Sequence, residues 1–265
     1  MSAKRLHRWI CMDPVLTVNN LTKIFTRQGR ADLTAVDHVS FTLQKGECLG
    51  IIGESGSGKS TVAGMITRLL DPTEGTVILD GEDITKARGR ALRSAYRKMQ
   101  MVFQTPAESF DPRRTLGDGI GESLVNSGMS REEVRREVAQ LLSQCGLTPD
   151  FAGRYPHEVS GGQCQRAAIA RALAIKPILL ICDEATSALD VTIQEEILEL
   201  LNGLRREKGD GLSILFICHD IALVQKFCDR VLVMYKGRVV EQGSPDEVIR
   251  QPKEDYTRRL IDSVL

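Results

Sequence analysis

The chain has 265 residues, of which 42% are hydrophobic, and this length and composition suit one domain with short appendages. Lysine plus arginine and aspartate plus glutamate balance at 35 each, so net charge favours neither nucleic acid nor an anionic membrane as a general partner. The seven cysteines form no C-x-x-C pair and no apolar run approaches the roughly 20 residues of a membrane span, which predicts a soluble, cytosolic protein that reaches a membrane only by docking.

The first predicted elements form a small antiparallel flank. Residues from 1 to about 14 carry charge but no apolar run of secretory length, and we expect a flexible N-terminal extension there. Two strand-like stretches follow with turn-like residues and no helical pattern between them. These stretches are VLTVNNLTKIF (15–25) and AVDHVSFTLQKG (35–46).

Short apolar runs that alternate with helical patterns predict the core sheet. Strands separated by helices pair in parallel and are buried on both faces, so we expect an α/β fold with a largely parallel sheet. The runs are CLGIIG (48–53), TVILDG (76–81), MQMVFQ (99–104), PILLICDE (177–184), LSILFICHD (212–220) and RVLVMYKG (230–237). Beyond the last run, residues from about 244 to 265 predict a tail of one or two small helices.

The interval from about 105 to 165 interrupts the alternation, because it has no good strand pattern. It contains SREEVRREVAQLLSQCG, where apolar residues recur at helical spacing, Ser130 and Glu133 make a capping box, and Gly146 ends the helix. We therefore predict a helical insert subdomain within a single domain that spans 1–265.

The loop GESGSGKS predicts a phosphate site. It fits G-x-x-x-x-G-K-[ST] between an apolar strand and a helical pattern, which argues against a chance match. Its glycines let N–H groups face the phosphates, Lys59 neutralises the β and γ groups, Ser60 can hold Mg²⁺, and Thr61 adds an α-phosphate contact. The predicted nucleotide-binding residues here are Gly53, Ser55, Gly56, Gly58, Lys59, Ser60 and Thr61.

Two acids follow the apolar run ILLIC, which places them at the carboxyl end of a buried parallel strand, where ligands bind. Asp183 would support Mg²⁺ through Ser60 and water, and Glu184 would orient and deprotonate the attacking water. The alternative is a pair of solvated acids, and the phosphate loop in the same chain favours the catalytic interpretation.

Two further polar residues end strand-like runs and should emerge at the same edge. His219 follows LSILFIC and can hydrogen-bond a γ-phosphate or the water, although a histidine at a strand end is more often structural. Gln104 ends MQMVF, and its amide oxygen can reach Mg²⁺, but spacing alone leaves that role open.

A second glycine pair stands in VSGGQ, at the start of the helical pattern CQRAAIARALAI. Ser160 and Gln163 form a capping box that explains both residues without a ligand. Gly161 and Gly162 are not explained in this way, and each costs up to about 1 kcal/mol in a helix. The pair therefore indicates a backbone that approaches something closely.

Together, GESGSGKST, VSGGQ, ILLICDE, SALD and CHD resemble, in order and spacing, an ATP-binding cassette (ABC) transporter ATPase, from Val15 onward. The resemblance implies a P-loop NTPase fold of the RecA-like type, with ATP and Mg²⁺ as cofactors. It also implies a head-to-tail dimer, in which the signature motif of one cassette binds the γ-phosphate of ATP held by the phosphate loop of the other.

The resemblance assigns further roles by position. Phe25 matches the aromatic residue that stacks on adenine, Gln104 the Q-loop, and His219 the switch histidine. Ser160, Gly161, Gly162 and Gln163 match the signature motif, and Ser187 to Asp190 match the D-loop. The departures are small (Val159 for leucine, and Cys182 and Cys218 for other small or apolar residues) and remove no catalytic group, so an active ATPase is expected.

The stretches FQTPAESFDPRRTLGDGIGESL and DYTRRLIDSVL are similar to bacterial dipeptide, oligopeptide and nickel importer ATPases. This implies a second ATPase subunit, identical or related, two integral membrane permease subunits, indirectly an extracytoplasmic substrate-binding protein, and no nucleic acid. It implies a peripheral position on the cytoplasmic side of the bacterial inner membrane. Because the sequence ends at Leu265 with no cysteine after Cys228, the resemblance favours nickel or metal chelates over small peptides as the transported cargo.

Three alternatives stay open. One is an oligopeptide-only importer. Another is a non-transport ABC ATPase of DNA repair or translation, disfavoured because neither a long coiled-coil insertion nor a second cassette is evident in the sequence. The third is a nucleotide-binding regulatory module without turnover, which a substitution at Glu184 would distinguish.

Overall fold

The computed structural model describes residues 13–26, 31–187, 189–207 and 211–263. The expected flexible extension lies almost wholly outside these residues. The strands are β1 (Leu16–Phe25), β2 (Leu33–Leu43), β3 (Cys48–Ile52), β4 (Glu74–Leu79), β5 (Glu82–Asp83), β6 (Met99–Val102), β7 (Leu179–Asp183), β8 (Ser213–Ile217), β9 (Arg230–Tyr235) and β10 (Arg238–Gly243). The helices are α1 (Lys59–Ile66), α2 (Gly89–Lys98), α3 (Leu116–Asn126), α4 (Arg131–Gln144), α5 (Gly161–Leu173), α6 (Val191–Glu207), α7 (Ile221–Phe227), α8 (Pro245–Arg250) and α9 (Asp255–Asp262).

A six-stranded sheet in the order β10-β9-β3-β8-β7-β6 forms the centre. Its five strands from β9 to β6 run parallel, and every residue of β3 and β8 is buried. The largely parallel, buried sheet that the apolar runs predict is therefore confirmed. Because parallel strands end at one edge, the segments that follow β3, β6, β7 and β8 converge there.

Side chains of the central strands alternate between two cores, one on each face of the sheet. On β3, Leu49 and Ile51 face the core that includes the antiparallel flank and α1, whereas Cys48 and Ile52 face the core that includes the helices α3 to α7. The six described cysteines are buried free thiols. Within the described residues, no helix combines the length and apolarity needed to cross a bilayer.

The flank is a four-stranded antiparallel sheet in the order β2-β1-β4-β5. The prediction that the run 76–81 belongs to the parallel series is wrong, since Val77 pairs antiparallel with Val18 of β1. In β4 the fully buried residues are Val77 and Leu79, with half-buried residues beside them. This one-sided burial, with a period of two, is typical of an antiparallel strand rather than one buried on both faces.

The edge strand β10 is not among the predicted elements. It pairs antiparallel with β9 through a two-residue turn at Lys236 and Gly237, whose φ angles are 46° and 81°. Two positive φ angles favour a tight hairpin, and a glycine after a polar residue is its sequence signal. The Gly237 N–H donates to the carbonyl of Ser57 at 3.0 Å, so this hairpin supports the glycine-rich loop.

The stretch from 105 to 165, every residue of which is described, contains helices and turns but no strand. Ser130 Oγ accepts the Glu133 N–H at 3.3 Å and Glu133 Oε2 accepts the Ser130 N–H at 2.8 Å, so the capping box is confirmed. Gly146 follows the helix end with φ 72°. The basic helix α2 buries only Ala95, and the tail forms the two small helices α8 and α9.

Candidate nucleotide site

The glycine-rich loop between β3 and α1 curls tightly against its neighbours. At Gly53, φ is 149° and a Cβ would lie 2.2 Å from the carbonyl oxygen of Met234. At Gly58, φ is 103° and a Cβ would lie 2.5 Å from the carbonyl oxygen of Ala35. Both positions therefore require glycine, whereas Gly56, with φ 80°, lies at the exposed tip of the loop with open space beside it.

Lys59 lies under this loop, and only 4% of the residue is exposed. Its Nζ donates to the carbonyl oxygens of Gly53 at 2.7 Å and Glu54 at 2.9 Å. Burial lowers the pKa of Lys59, and the nearby carboxylates of Glu184 and Asp183 oppose that shift. An ammonium has three donors, of which two are taken here, so one remains available for an anion.

Ser60, in helix α1 after β3, is in contact with Asp183 at the end of β7, although β8 separates these two strands in the sheet. Ser60 Oγ donates to Asp183 Oδ1 at 3.1 Å. Burial raises the pKa of Asp183, the Ser60 hydrogen bond lowers it, and the charge of Glu184 adds to the increase. A hydroxyl and a carboxylate are oxygen ligands of the kind that Mg²⁺ takes beside substrate phosphates and water, so this donor set fits that ion.

Glu184 has a left-handed backbone conformation, with φ 49°, which is uncommon for a residue other than glycine. Its N–H donates to the carbonyl of Ile217 at 2.9 Å, and its own carbonyl accepts from Ser187 Oγ at 2.9 Å. Its Oε2 lies 4.0 Å from His219 Nδ1. That separation is too long for a direct hydrogen bond and suits a bridging water.

Gln104 lies just beyond the end of β6, at the same edge of the sheet. Val102 pairs with Cys182, so the chain emerges beside Asp183. The side chain of Gln104 is exposed and makes no hydrogen bond to the other described residues. The structure thus brings together Lys59, Ser60, Asp183, Glu184 and His219, and leaves Gln104 nearby without a hydrogen bond to the other described residues.

Phe25 ends β1, in the antiparallel flank, as a half-buried residue. It pairs with Leu33, and the Lys23 ammonium lies 5.1 Å from its ring centroid. Ala35, two residues beyond Leu33, is the residue against which Gly58 packs. Phe25 is therefore at the end of the flank that approaches the loop.

The predicted cap of α5 is present. Gln163 N–H donates to Ser160 Oγ at 3.3 Å, and Ser160 N–H donates to Gln163 Oε1 at 3.0 Å. A Cβ on Gly162 would lie 2.7 Å from Ile193 Cγ2, so the close approach that the glycines indicate occurs, for Gly162, within the chain itself. Gly161 is exposed, and among the described residues no hydrogen bond joins this motif to the glycine-rich loop.

Asp190 precedes α6 and is exposed, and its carbonyl accepts the Gln194 N–H at 2.9 Å. Sequence reasoning missed two other residues near the site. Tyr256 of α9 accepts a hydrogen bond from the loop, and Arg171 of α5 donates to the carbonyl of Ser109, shortly after Gln104. Neither belongs to a local motif, so only the three-dimensional contact shows them.

Known proteins match this chain in sequence and in structure. A family model described as ABC transporter matches residues 36–187. A probable peptide ABC transporter ATP-binding protein of Sinorhizobium fredii is 47% identical over 256 residues, 94% of this chain and 72% of that protein. The oligopeptide transport ATP-binding protein OppF of Escherichia coli is 48% identical over 234 residues, 88% of this chain and 70% of OppF.

Solved cassettes share the fold. The dimeric ATP-binding cassette MJ0796, in a post-hydrolysis state with ADP and Pi, has a TM-score of 0.79 and 33% identity, covering 87% of this chain and 98% of its own. CbiO1 from Clostridium perfringens, part of an ABC transporter complex, has a TM-score of 0.80 and 30% identity, covering 90% of this chain and 92% of its own. The family model spans more than half of the chain, the sequence relatives are nearly half identical to it and solved cassettes have its fold, and the protein therefore belongs to the ABC transporter family as an ATP-binding, ATP-hydrolysing subunit.

Proposed function

We propose that this chain powers a bacterial importer by hydrolysing ATP between two paired cassettes. The observation that carries the proposal is the convergence of Lys59, Ser60, Asp183 and Glu184 at one edge of the sheet, with Ser60 and Asp183 in contact at 3.1 Å. Phosphoryl transfer depends mainly on positioning and charge neutralisation, and this edge supplies both.

Each residue has a distinct role in the proposed reaction. The loop amides from Ser55 to Thr61 cradle the phosphates, and the Lys59 ammonium neutralises the β and γ groups. Ser60 and Asp183 would hold Mg²⁺, which would supply further charge neutralisation to the phosphates. Glu184 orients the attacking water and takes its proton, and His219, 4.0 Å away, fixes the same water or the γ-phosphate.

The remaining predicted residues complete the site. Gln104 has an exposed amide beside the edge and can approach the metal once nucleotide is bound. Phe25, at the end of the flank, offers a ring face for adenine. We assign 105–165 as a helical subdomain of a single domain over 1–265. Through Gln104 and the Arg171 contact with Ser109, the nucleotide site is linked to that subdomain.

The motif from Ser160 to Gln163 serves the nucleotide of a second cassette. The capping box uses the Ser160 and Gln163 side chains, and it leaves the amides of Gly161 and Gly162 at the start of a 13-residue helix, a position that attracts anions. Ser160 and Gly161 are exposed. Asp190 is exposed too, and it directly follows Leu189, whose side chain borders Gly161. The solved cassette MJ0796 is dimeric, which supports a composite site shared by two chains.

A groove between α2, α3, α4 and the end of α5 is the proposed seat for a short helix of a membrane permease subunit. Its cavity measures about 760 Å³. Tyr96, Leu124 and Met129 give it an apolar lining, while the exposed side chains of Arg93 and Arg97 stand at its rim. An amphipathic helix fits such a groove, and docking two permease subunits would place this chain at the cytoplasmic face of the inner membrane.

Small peptides are the proposed cargo. The relatives from Sinorhizobium fredii and Escherichia coli are named for peptide and oligopeptide transport. The glutathione import ATP-binding protein GsiA of Pectobacterium atrosepticum is 45% identical over 259 residues, 95% of this chain and 41% of GsiA. None of these three is named for nickel, which remains the alternative cargo. An extracytoplasmic binding protein would deliver the cargo to the permease, and we propose no nucleic-acid partner.

The cargo and partners are tested together by copurification of the chain with its two membrane subunits, followed by ATPase assays in proteoliposomes. Binding protein loaded with di- and oligopeptides should stimulate phosphate release, and nickel chelates should not.

Met129→Arg should prevent copurification of the chain with the membrane subunits and leave its ATP affinity unchanged, because a charged side chain then fills the apolar groove. Val125→Arg, on the exposed face of α3, is the matched control. Stimulation by nickel chelates alone would replace the peptide assignment, and copurification of Met129→Arg would refute the groove.

Lys59→Ala should weaken ATP binding by the single chain about ten- to a hundredfold, the range expected for losing a charged hydrogen bond to phosphate. Titration with a fluorescent ATP analogue measures the dissociation constant. Lys86→Ala, at an exposed lysine away from the loop, should leave the constant unchanged. An unchanged constant in Lys59→Ala would show that the loop does not use this ammonium.

A further inference from the structure

The hydroxyl of Tyr256 makes an unusual long-range contact with the glycine-rich loop. The backbone N–H of Glu54 donates to Tyr256 Oη at 3.1 Å, across 202 positions of sequence. That N–H belongs to the peptide group whose carbonyl oxygen is that of Gly53, and this oxygen accepts from Lys59 Nζ at 2.7 Å. A single peptide group therefore connects the Tyr256 hydroxyl with the Lys59 ammonium.

We propose that Tyr256 is a positioning residue for Lys59, acting through the peptide group between Gly53 and Glu54. The inference rests on the proposed role of Lys59 in binding the phosphates of ATP. A peptide whose N–H is hydrogen-bonded is held in one plane, and its carbonyl becomes a stronger acceptor because hydrogen bonds in a chain polarise one another. Tyr256 thus fixes one of the two acceptors that aim the ammonium.

The tyrosine is rigidly held where it makes this contact. Only 7% of Tyr256 is exposed, and its ring stacks on Tyr235 with centroids 4.0 Å apart and an interplanar angle of 27°. Tyr235 ends β9 directly after Met234, whose carbonyl oxygen borders Gly53. The stack, the end of β9 and the loop therefore form one packed unit.

Helix α9, which carries Tyr256, is itself fastened to the core sheet. The carboxylate of Glu241 on β10 accepts the N–H of Lys253 at 2.9 Å and the N–H of Glu254 at 3.2 Å. Burial acts to raise the pKa of Glu241, but the nearby Thr257 hydroxyl and the hydrogen bonds from these two amides outweigh it and lower the pKa. The helix that supplies the hydroxyl is thus anchored by the two residues that precede it.

The alternative is that Tyr256 only packs α9 against the sheet. The ring and its stack would then matter, and the hydroxyl would not matter to the ammonium. Tyr256→Phe separates the two interpretations, because it keeps the ring and removes only the acceptor for the Glu54 N–H. Tyr235→Phe is the matched control, since it removes the other hydroxyl of the stack, which makes no hydrogen bond to the loop among the described residues.

The test is a double-mutant cycle of Tyr256→Phe with Lys59→Ala in the full chain, read as the dissociation constant of a fluorescent ATP analogue. Tyr256→Phe alone should weaken ATP binding about fivefold, the factor that corresponds to the net contribution of one hydrogen bond. In the Lys59→Ala background it should cause no further loss, because the ammonium through which it acts is gone. Tyr235→Phe should bind ATP as the parent does, and melting temperatures are followed for every variant.

An unchanged constant for Tyr256→Phe would overturn the proposal, because the tyrosine would then only pack α9 against the sheet. The same fold loss with and without Lys59 would also overturn it, because the hydroxyl would then act on the loop independently of the ammonium. A loss of similar size in Tyr235→Phe would do the same, because it would place the effect in the stack. The outcome that instead contradicts the proposed function is distinct: Lys59→Ala itself would bind ATP with the affinity of the parent.

Discussion

Glu184→Gln should reduce steady-state phosphate release about a hundredfold to ten-thousandfold, the range that general base catalysis contributes. Glutamine keeps the size of the side chain and can still hydrogen-bond a water, but it cannot take the proton. ATP binding should persist, so the paired cassettes should accumulate with nucleotide between them. Phosphate release by the purified transporter and size-exclusion chromatography of the chain with ATP measure the two effects.

Glu195→Gln is the matched control, because it makes the same chemical change at an exposed acid. Glu195 pairs with Lys226 at 2.6 Å on the surface, and an exposed ion pair contributes little to stability. That variant should hydrolyse ATP at the parent rate. If Glu184→Gln also kept the parent rate, another group would take the proton, and the role proposed for Glu184 would be refuted.

The local position of Glu184 explains why the substitution should be specific. The backbone at this residue is left-handed, with φ 49°. The N–H of Glu184 donates to the Ile217 carbonyl, and the carbonyl of Glu184 accepts from the Ser187 hydroxyl, so both hydrogen bonds use main-chain atoms of Glu184. A change at the end of the side chain leaves those hydrogen bonds intact. Glu184→Gln should therefore fold like the parent and report chemistry rather than stability.

The sequence predicts much of the edge where these residues lie, because strand ends and loop motifs are local patterns. The run ILLIC places Asp183 and Glu184, and GESGSGKS places Lys59 and Ser60. Parallel pairing then brings the two segments to one edge of the sheet, as the contact of Ser60 with Asp183 shows. The roles of these residues in hydrolysis stay predictions until the variants are measured.

Features that depend on distant neighbours escape the same reasoning. The apolar run of β4 does not by itself show whether this strand joins the parallel sheet or pairs with β1 in the antiparallel flank. Gly162 is explained by Ile193, 31 positions later in the chain. Tyr256 reaches Glu54 across 202 positions. In each case the deciding contact comes from tertiary packing, which neither periodicity nor a motif encodes.

Ser160→Arg should leave ATP binding by the single chain unchanged and abolish pairing of two cassettes around ATP, with loss of turnover. Ser160 is exposed at the start of α5, and among the described residues it has no hydrogen bond to the glycine-rich loop. A long side chain there would fill the space in front of the Gly161 amide, where the proposed phosphate of the second cassette enters. The two readouts are the dissociation constant of a fluorescent ATP analogue and ATP-dependent dimerisation in the Glu184→Gln background.

The substitution also removes a helix cap, worth about 1 kcal/mol, so instability must be separated from loss of pairing. Ser130→Arg is the matched control, because Ser130 is likewise an exposed serine in a capping box, at the start of α4. It should lose the same cap and still dimerise with ATP. Dimerisation of Ser160→Arg at the parent ATP concentration would refute the composite site. If Ser160→Arg instead weakened ATP binding by the single chain, the motif would serve the chain's own nucleotide, and two separate half-sites would not be needed.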